Sequence, residues 1–132
     1  MGREDFKNSS ILIKDIMTKV IISVNVETTV FQVAKMMENG GIGAVLVKKN
    51  NHIIGIITDR DYATKIVSHN LPSDTPVEKI MSFPLITINF DESILDAAQR
   101  MTSKKIRKLA VTDNGKIIGL VTSTDLVAQF CK

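Results

Sequence analysis

Gly55-Ile56-Ile57-Thr58-Asp59-Arg60-Asp61 is written a second time as Gly119-Leu120-Val121-Thr122-Ser123-Thr124-Asp125. Both stretches read glycine, two apolar residues, threonine, two variable positions and aspartate, and both follow a β-branched pair, Ile53-Ile54 and Ile117-Ile118. The offset of 64 residues carries through the chain without a gap: Met17 falls on Met81, Asn25 on Asn89, Ala34 on Ala98, Met37 on Met101 and Val47 on Val111. About a quarter of the aligned pairs are identical, and most others are conservative, such as Val24 with Ile88 and Glu27 with Asp91. A gapless repeat of this length signifies two copies of one supersecondary unit, expected here to be related by pseudo-two-fold symmetry.

Outward from the motif, the β-branched pairs extend into strands over residues 52–57 and 116–121, and the chain turns helical over residues 58–67 and 122–130. Upstream lie the hairpin turns Lys49-Asn50-Asn51 and Asp113-Asn114-Gly115, the latter with a strong Asn-Gly signal. They are entered by strands over residues 44–47 and 109–112. Thr29-Val30-Phe31-Gln32 is a capping box and Ser93-Ile94-Leu95-Asp96 its aspartate version. The helix opened by the first places Val30, Val33, Ala34 and Met37 on one face, and its copy places Ile94, Ala97, Ala98 and Met101 there. Gly40 and Gly41 suit a helix C-cap. Lys104 and Lys105 stand in their places in the second copy, so that turn is expected to differ. Residues 21–26 and 85–90 read as short strands, and residues 13–17 and 77–81 as single helical turns. The fold class is α+β, with two β-α-β-β-α repeats. Residues 1–12 form an N-terminal arm, 13–70 the first repeat, 71–76 a linker and 77–132 the second repeat. One repeat alone could bury only one face of its sheet, so the pair is the expected folding unit.

Composition sets the outer limits. The chain has 132 residues, enough for one compact domain, and at 44% hydrophobic it has the material for a core. No apolar run reaches the ~18 residues of a membrane span. The first residues, Met1-Gly2-Arg3-Glu4-Asp5-Phe6, lack the apolar centre of a signal peptide, and Phe6 stands where a myristoylation motif wants Ser or Thr. The single cysteine, Cys131, cannot form an internal disulfide, which fits a reducing, cytoplasmic setting. A net charge of +3 permits an anionic small ligand and only weakly suggests nucleic acid.

The Ile16-Met17 and Ile80-Met81 openings, the helices ending in Met37 and Met101, the Asn-centred hairpins and the twofold Gly-apolar-apolar-Thr-x-x-Asp together resemble a tandem pair of cystathionine-β-synthase (CBS) domains, a Bateman module, over residues 13–131. The resemblance implies a non-catalytic regulatory fold that binds an adenosyl ligand in a cleft between the repeats. AMP, ADP or ATP is favoured over S-adenosylmethionine. It further implies a homodimer, a disk of four repeats, and a separate partner protein that reads the ligand state.

By that resemblance Asp61 and Asp125 hold the ribose hydroxyls of two pseudo-equivalent sites, and Thr58 and Thr122 contact ribose or phosphate. The chemistry suits the role, since an ionised carboxylate presents two acceptor oxygens and a helix N-terminus favours phosphate. Thr-x-x-Asp is equally an ordinary helix cap, and its recurrence under the same strand is what favours a site. Arg60, replaced by Thr124 in the second copy, either clamps a phosphate bidentately or is an exposed arginine paired with Asp59. Lys104-Lys105-Ile106-Arg107-Lys108 is a run of cations before a strand, against uncharged Gly43-Ala44 in the first copy. In the nucleotide-binding relatives this turn meets phosphates, which points to Arg107 and Lys108. One phosphate-competent site is therefore expected from Thr58, Arg60 and Asp61 with Arg107 and Lys108, the Asp125 site taking a less charged ligand or none. Ile22 and Ile86 mark the implied adenine slots, or are simply core isoleucines.

The alternative is a nucleic-acid-binding or protein-docking module using the Lys104–Lys108 face. One Tyr, five Phe and no Trp argue against stacking on single strands. Gly40-Gly41-Ile42-Gly43 precedes a strand, so it is no dinucleotide loop. His52 and His69 lack a second ligand at metal spacing. No nucleophile or base accompanies Asp59 and Asp61, so no catalytic constellation is expected.

Overall fold

The computed structural model describes residues 11–131, so residues 1–10 of the expected arm lie outside the described residues. In chain order the elements are α1 (Ile13–Ile16), β1 (Ser23–Asn25), α2 (Val30–Gly40), β2 (Ala44–Lys49), β3 (His52–Thr58) and α3 (Asp59–Asp61), which continues as a π-helical stretch, Tyr62–Val67. A 3-10 turn, Val77–Lys79, leads to β4 (Thr87–Asn89), α4 (Ile94–Lys104), β5 (Lys108–Asp113), β6 (Lys116–Thr122) and α5 (Ser123–Val127), which ends in a 3-10 turn, Ala128–Cys131. The mixed α+β class expected from the repeat is what forms: two three-stranded sheets, β1-β2-β3 and β4-β5-β6. In each, the first strand runs parallel to the second across an intervening helix, and the second and third form a hairpin. Each hairpin carries a bulge at the same place, Val47/Lys48 and Val111/Thr112. Its turn uses two residues at positive φ, Asn50 and Asn51 or Asn114 and Gly115, the geometry that matches strand twist.

The compact units do not coincide with the sequence repeats. One unit is continuous, Ile22–Leu85; the other is split, joining the described residues through Ile21 to those from Ile86 onward. The core of the continuous unit gathers Val24, Val30, Val33, Val45, Val47 and Ile57 with Val77, Ile80 and Met81, the opening of the second sequence repeat. The core of the split unit gathers Ile88, Ile94, Ala97, Met101, Leu109, Val111 and Val121 with Ile13, the opening of the first. Each opening turn is thus buried in the body of the other repeat. Backbone bonds fix the exchange: Ile13 N–H donates to Glu92 C=O (2.9 Å) and Val77 N–H to Thr28 C=O (2.8 Å). Residues 71–76 connect the repeats and also pack. Val30 N–H donates to Thr75 C=O (2.8 Å), which satisfies one of the donors a helix start leaves open.

The exchange explains the glycine of the repeated motif. After α1 and after the 3-10 turn, the chain lies along the outer edge of the third strand. Thr18 and Leu120 exchange two backbone bonds (2.8 and 2.9 Å), and Ser82 and Ile56 exchange two more (2.8 and 3.1 Å). A Cβ on Gly119 would stand 2.6 Å from Thr18 O, and one on Gly55 would stand 2.8 Å from Met81 Sδ and 2.9 Å from Ser82 O. Only glycine admits the crossing chain.

Both expected capping boxes form. Thr29 Oγ1 accepts from Gln32 N–H (3.1 Å) while Gln32 Oε1 accepts from Thr29 N–H (2.9 Å), and Ser93 with Asp96 repeats the pattern. Val30, Val33, Ile94, Ala97 and Met101 are buried as the helical face requires, whereas Ala34, Met37 and Ala98 are half-buried at its margin. The helix C-caps correct one expectation. Gly41 adopts the left-handed conformation (φ 63°), and so does Lys105 (φ 57°) in the second copy. The turn is conserved in shape although the glycine is gone, because Ile106 N–H still closes it on Met101 C=O (3.0 Å). In the split unit Arg100 grips Glu92 through two bonds (2.8 and 3.1 Å) and donates to Thr87 C=O, pinning the turn between β4 and α4. The guanidinium holds the Glu92 carboxyl below the usual carboxylate range.

Candidate functional site

Strand register brings the candidate residues to one end of each sheet, where the first two strands begin and the third ends. In the continuous unit Ser23 pairs with Leu46 and Ala44 with Thr58, so Ile22, Gly43-Ala44 and Thr58–Asp61 share that end. In the split unit Thr87 pairs with Ala110 and Lys108 with Thr122, so Ile86, Arg107-Lys108 and Thr122–Asp125 share the matching end. Ser123 N–H donates to Arg107 C=O (2.9 Å), just as Asp59 N–H donates to Gly43 C=O (3.0 Å). The sequence reading set Arg107 and Lys108 across a cleft from Asp61, in the other repeat; within its own unit this basic turn adjoins the Asp125 turn. Ile22 and Ile86 are half-buried, each packed at the margin of its unit's core.

The two Thr-x-x-Asp turns have one design. Asp61 Oδ2 accepts from Thr58 N–H (2.8 Å) and from the Thr58 hydroxyl (3.3 Å). Asp125 Oδ2 accepts from Thr122 N–H (2.8 Å) and from the Thr122 hydroxyl (3.1 Å). Each aspartate is therefore the N3 member of a capping box whose N-cap is Thr58 or Thr122, and that role uses only one of its oxygens.

The second oxygen separates the copies. Asp61 is buried, at 5% exposure, and its Oδ1 pairs with Lys65 Nζ at 3.1 Å. Asp125 is half-buried, and its Oδ1 has no partner among the described residues. Lys65 escaped the sequence reading, although an acid and a base four residues apart on a helix are a legible pair. Arg60 and Thr124 are exposed at their turns, as is Arg107, while Lys108 is half-buried. Tyr62, next to Asp61, donates its hydroxyl to Val30 C=O at 2.6 Å. Burial, with the Asp61 charge adding, pushes its pKa up to about 12, so it serves as a neutral anchor.

Among the described residues, no group of three or more His, Cys, Asp or Glu side chains could hold a metal ion. His52, His69 and Cys131 are exposed. No helix among the described residues is long and apolar enough to cross a membrane.

Comparison with known proteins bears on both ends. The family model of the CBS domain matches twice, over residues 13–68 and 77–131. The chain is 32% identical over 117 residues to the CBS domain-containing protein YhcV of Bacillus subtilis, covering 89% of this chain and 84% of that one. It is 36% identical over 121 residues to the uncharacterized protein MK0525 of Methanopyrus kandleri, covering 89% of this chain and 62% of that one. It is also similar to the crystal structure of the CBS domain pair of protein MJ0100 in complex with 5′-methylthioadenosine and S-adenosyl-L-methionine. The TM-score is 0.82 and the identity 29%, with 91% of this chain and 95% of that one covered.

Proposed function

Since the chain belongs to the CBS-domain family, we propose that it is a non-catalytic sensor that binds an adenosyl ligand at its Thr-x-x-Asp turns and passes the bound state to a separate partner. The observation that carries this reading is the carboxylate of each turn, fixed through one oxygen by Thr58 or Thr122 and aimed by that cap. A held carboxylate suits the paired hydroxyls of a ribose, and both ligands of the MJ0100 pair contain an adenosyl ribose. Arg107 and Lys108, at the sheet end that carries Asp125, favour a phosphorylated ligand such as AMP, ADP or ATP. Ile22 and Ile86 supply apolar surface for adenine at the two ends, and Arg60 and Thr124 flank the aspartates. Signalling requires the ligand to bind one arrangement of the protein more tightly than another.

Calorimetric titration with AMP, ATP and S-adenosylmethionine at two salt concentrations tests the reading. Micromolar binding is expected, abolished when Asp61 and Asp125 are both replaced by alanine in a protein whose circular dichroism is unchanged. Unaltered binding by that double variant would overturn the assignment. The basic run Lys104–Lys108 carries the competing reading: binding of a DNA duplex that collapses between low and physiological salt, with no nucleotide binding, would favour it.

A further inference from the structure

We infer that Lys65 makes the two Thr-x-x-Asp turns unequal, so that an adenosyl ligand loads first at Asp125 and reaches Asp61 only by displacing Lys65. The inference rests on the proposed function and names the residue that decides occupancy.

A vicinal diol donates to free carboxylate lone pairs, and in both turns Oδ2 is already committed to the threonine. Occupancy therefore turns on Oδ1. At Asp61 that oxygen is held by Lys65 (3.1 Å), whose ammonium also donates to Ile80 C=O (2.9 Å) and to Ser82 Oγ (3.2 Å). Three donors meet three acceptors, so the ammonium is saturated. The Asp61 side chain is only 7% exposed, which leaves a ligand little access while the pair stands. At the offset of 64, Gln129 occupies the position of Lys65. A glutamine brings no charge, and among the described residues Asp125 makes no ion pair. The turn with the open oxygen is also the one that adjoins Arg107 and Lys108.

The consequence is local and mechanical. A ligand that takes Asp61 frees Lys65 from a chain segment, Ile80 to Ser82, that is itself bonded to the edge of β3. Loading Asp61 thus loosens that segment, and loading Asp125 breaks no ion pair. Losing a hydrogen bond to a charged group weakens binding by about tenfold or more.

The test uses 5′-methylthioadenosine, whose uncharged 5′ end isolates the ribose interaction, titrated calorimetrically into the whole chain. Wild type is expected to bind one equivalent, lost in Asp125→Ala. Lys65→Gln is expected to gain a second equivalent of comparable affinity, removed again when Asp61→Ala is added. Gln129→Lys, which leaves the Asp61 turn untouched, is expected to weaken the first site by about tenfold or more. A Lys65→Gln isotherm superimposable on wild type, or a first site that survives Asp125→Ala, would overturn the inference while the sensor reading stands. Failure of wild type and Lys65→Gln alike to bind any adenosyl probe would sink the sensor reading itself, and this inference with it.

Discussion

Replacing Gly119 with alanine reverses the usual sense of a glycine substitution. At a position alanine can adopt, Gly→Ala stabilises by about 0.4–1 kcal/mol, because the unfolded chain loses freedom. At Gly119 the new Cβ would lie 2.6 Å from Thr18 O, whereas ordinary contact begins at 3.4 Å, so the crossing chain must retreat by about 0.8 Å. The neighbour is a backbone oxygen with no rotamer to change. The bonds between Thr18 and Leu120, 2.8 and 2.9 Å, would be stretched past hydrogen-bonding range. Two lost backbone bonds at about 1 kcal/mol each, plus about 1 kcal/mol of overpacking, less the entropic gain, leave a net loss of about 2–3 kcal/mol. Gly55→Ala should cost less, because one of its two closest neighbours is the flexible end of Met81. Gly40→Ala supplies the opposite sign. That glycine ends α2 with nothing nearer than the Ile42 side chain at 3.8 Å, so it should stabilise by about 0.5–1 kcal/mol. Urea denaturation of the three variants, read from midpoints at a common slope, measures the series. A Gly119→Ala protein as stable as wild type would refute the account of why the motif contains glycine.

Lys105→Gly should stabilise the fold by about 0.5–1 kcal/mol, since the left-handed conformation of Lys105 costs a non-glycine residue about 1–2 kcal/mol and the extra chain entropy of glycine takes back about 0.5–1 kcal/mol; a lowered thermal midpoint would contradict it. Glu92→Gln should lose about 1 kcal/mol at neutral pH by uncoupling the two-bond grip of Arg100. Arg100 lowers the folded pKa of Glu92, so this stability is present above the ordinary carboxylate value of 4.5 and is lost as pH falls through the lowered value. The acid limb of stability against pH should therefore be shallower in Glu92→Gln, and parallel limbs would show that the pair contributes nothing.

Local chemistry was legible because it is written in neighbouring residues. Thr29 with Gln32, Ser93 with Asp96, and the asparagines at 50 and 114 each specify their own turn. The β-α-β-β-α succession of elements followed from the repeat, and β1 and β4 are shorter than read because pairing to the middle strand spans three residues in each. The exchange of opening turns was not legible. Ile13 and Val77 match each other, so each fits either body, and an offset between identical patterns says nothing of which copy packs on which. Lys105 misled because propensity alone disfavours lysine at positive φ, while the bonds closing the turn hold it there. At the site, the sequence distinguished Asp61 from Asp125 by Arg60 and the Arg107-Lys108 run; the further difference lies four residues on, at Lys65 and Gln129, outside the motif.

The opening turns also dictate how members of this family can be recombined. A chimera joined within residues 71–76, the seam a sequence aligner would choose, inserts one parent's Val77, Ile80 and Met81 into a core otherwise built by the other parent, and its Ile13 suffers the mirror-image mismatch. Crossovers at 21/22 and 85/86 transplant Ile22–Leu85 with its core intact. Viable hybrids should therefore cluster at those two junctions, a pattern that a shuffled library would reveal by which joints survive selection for folding.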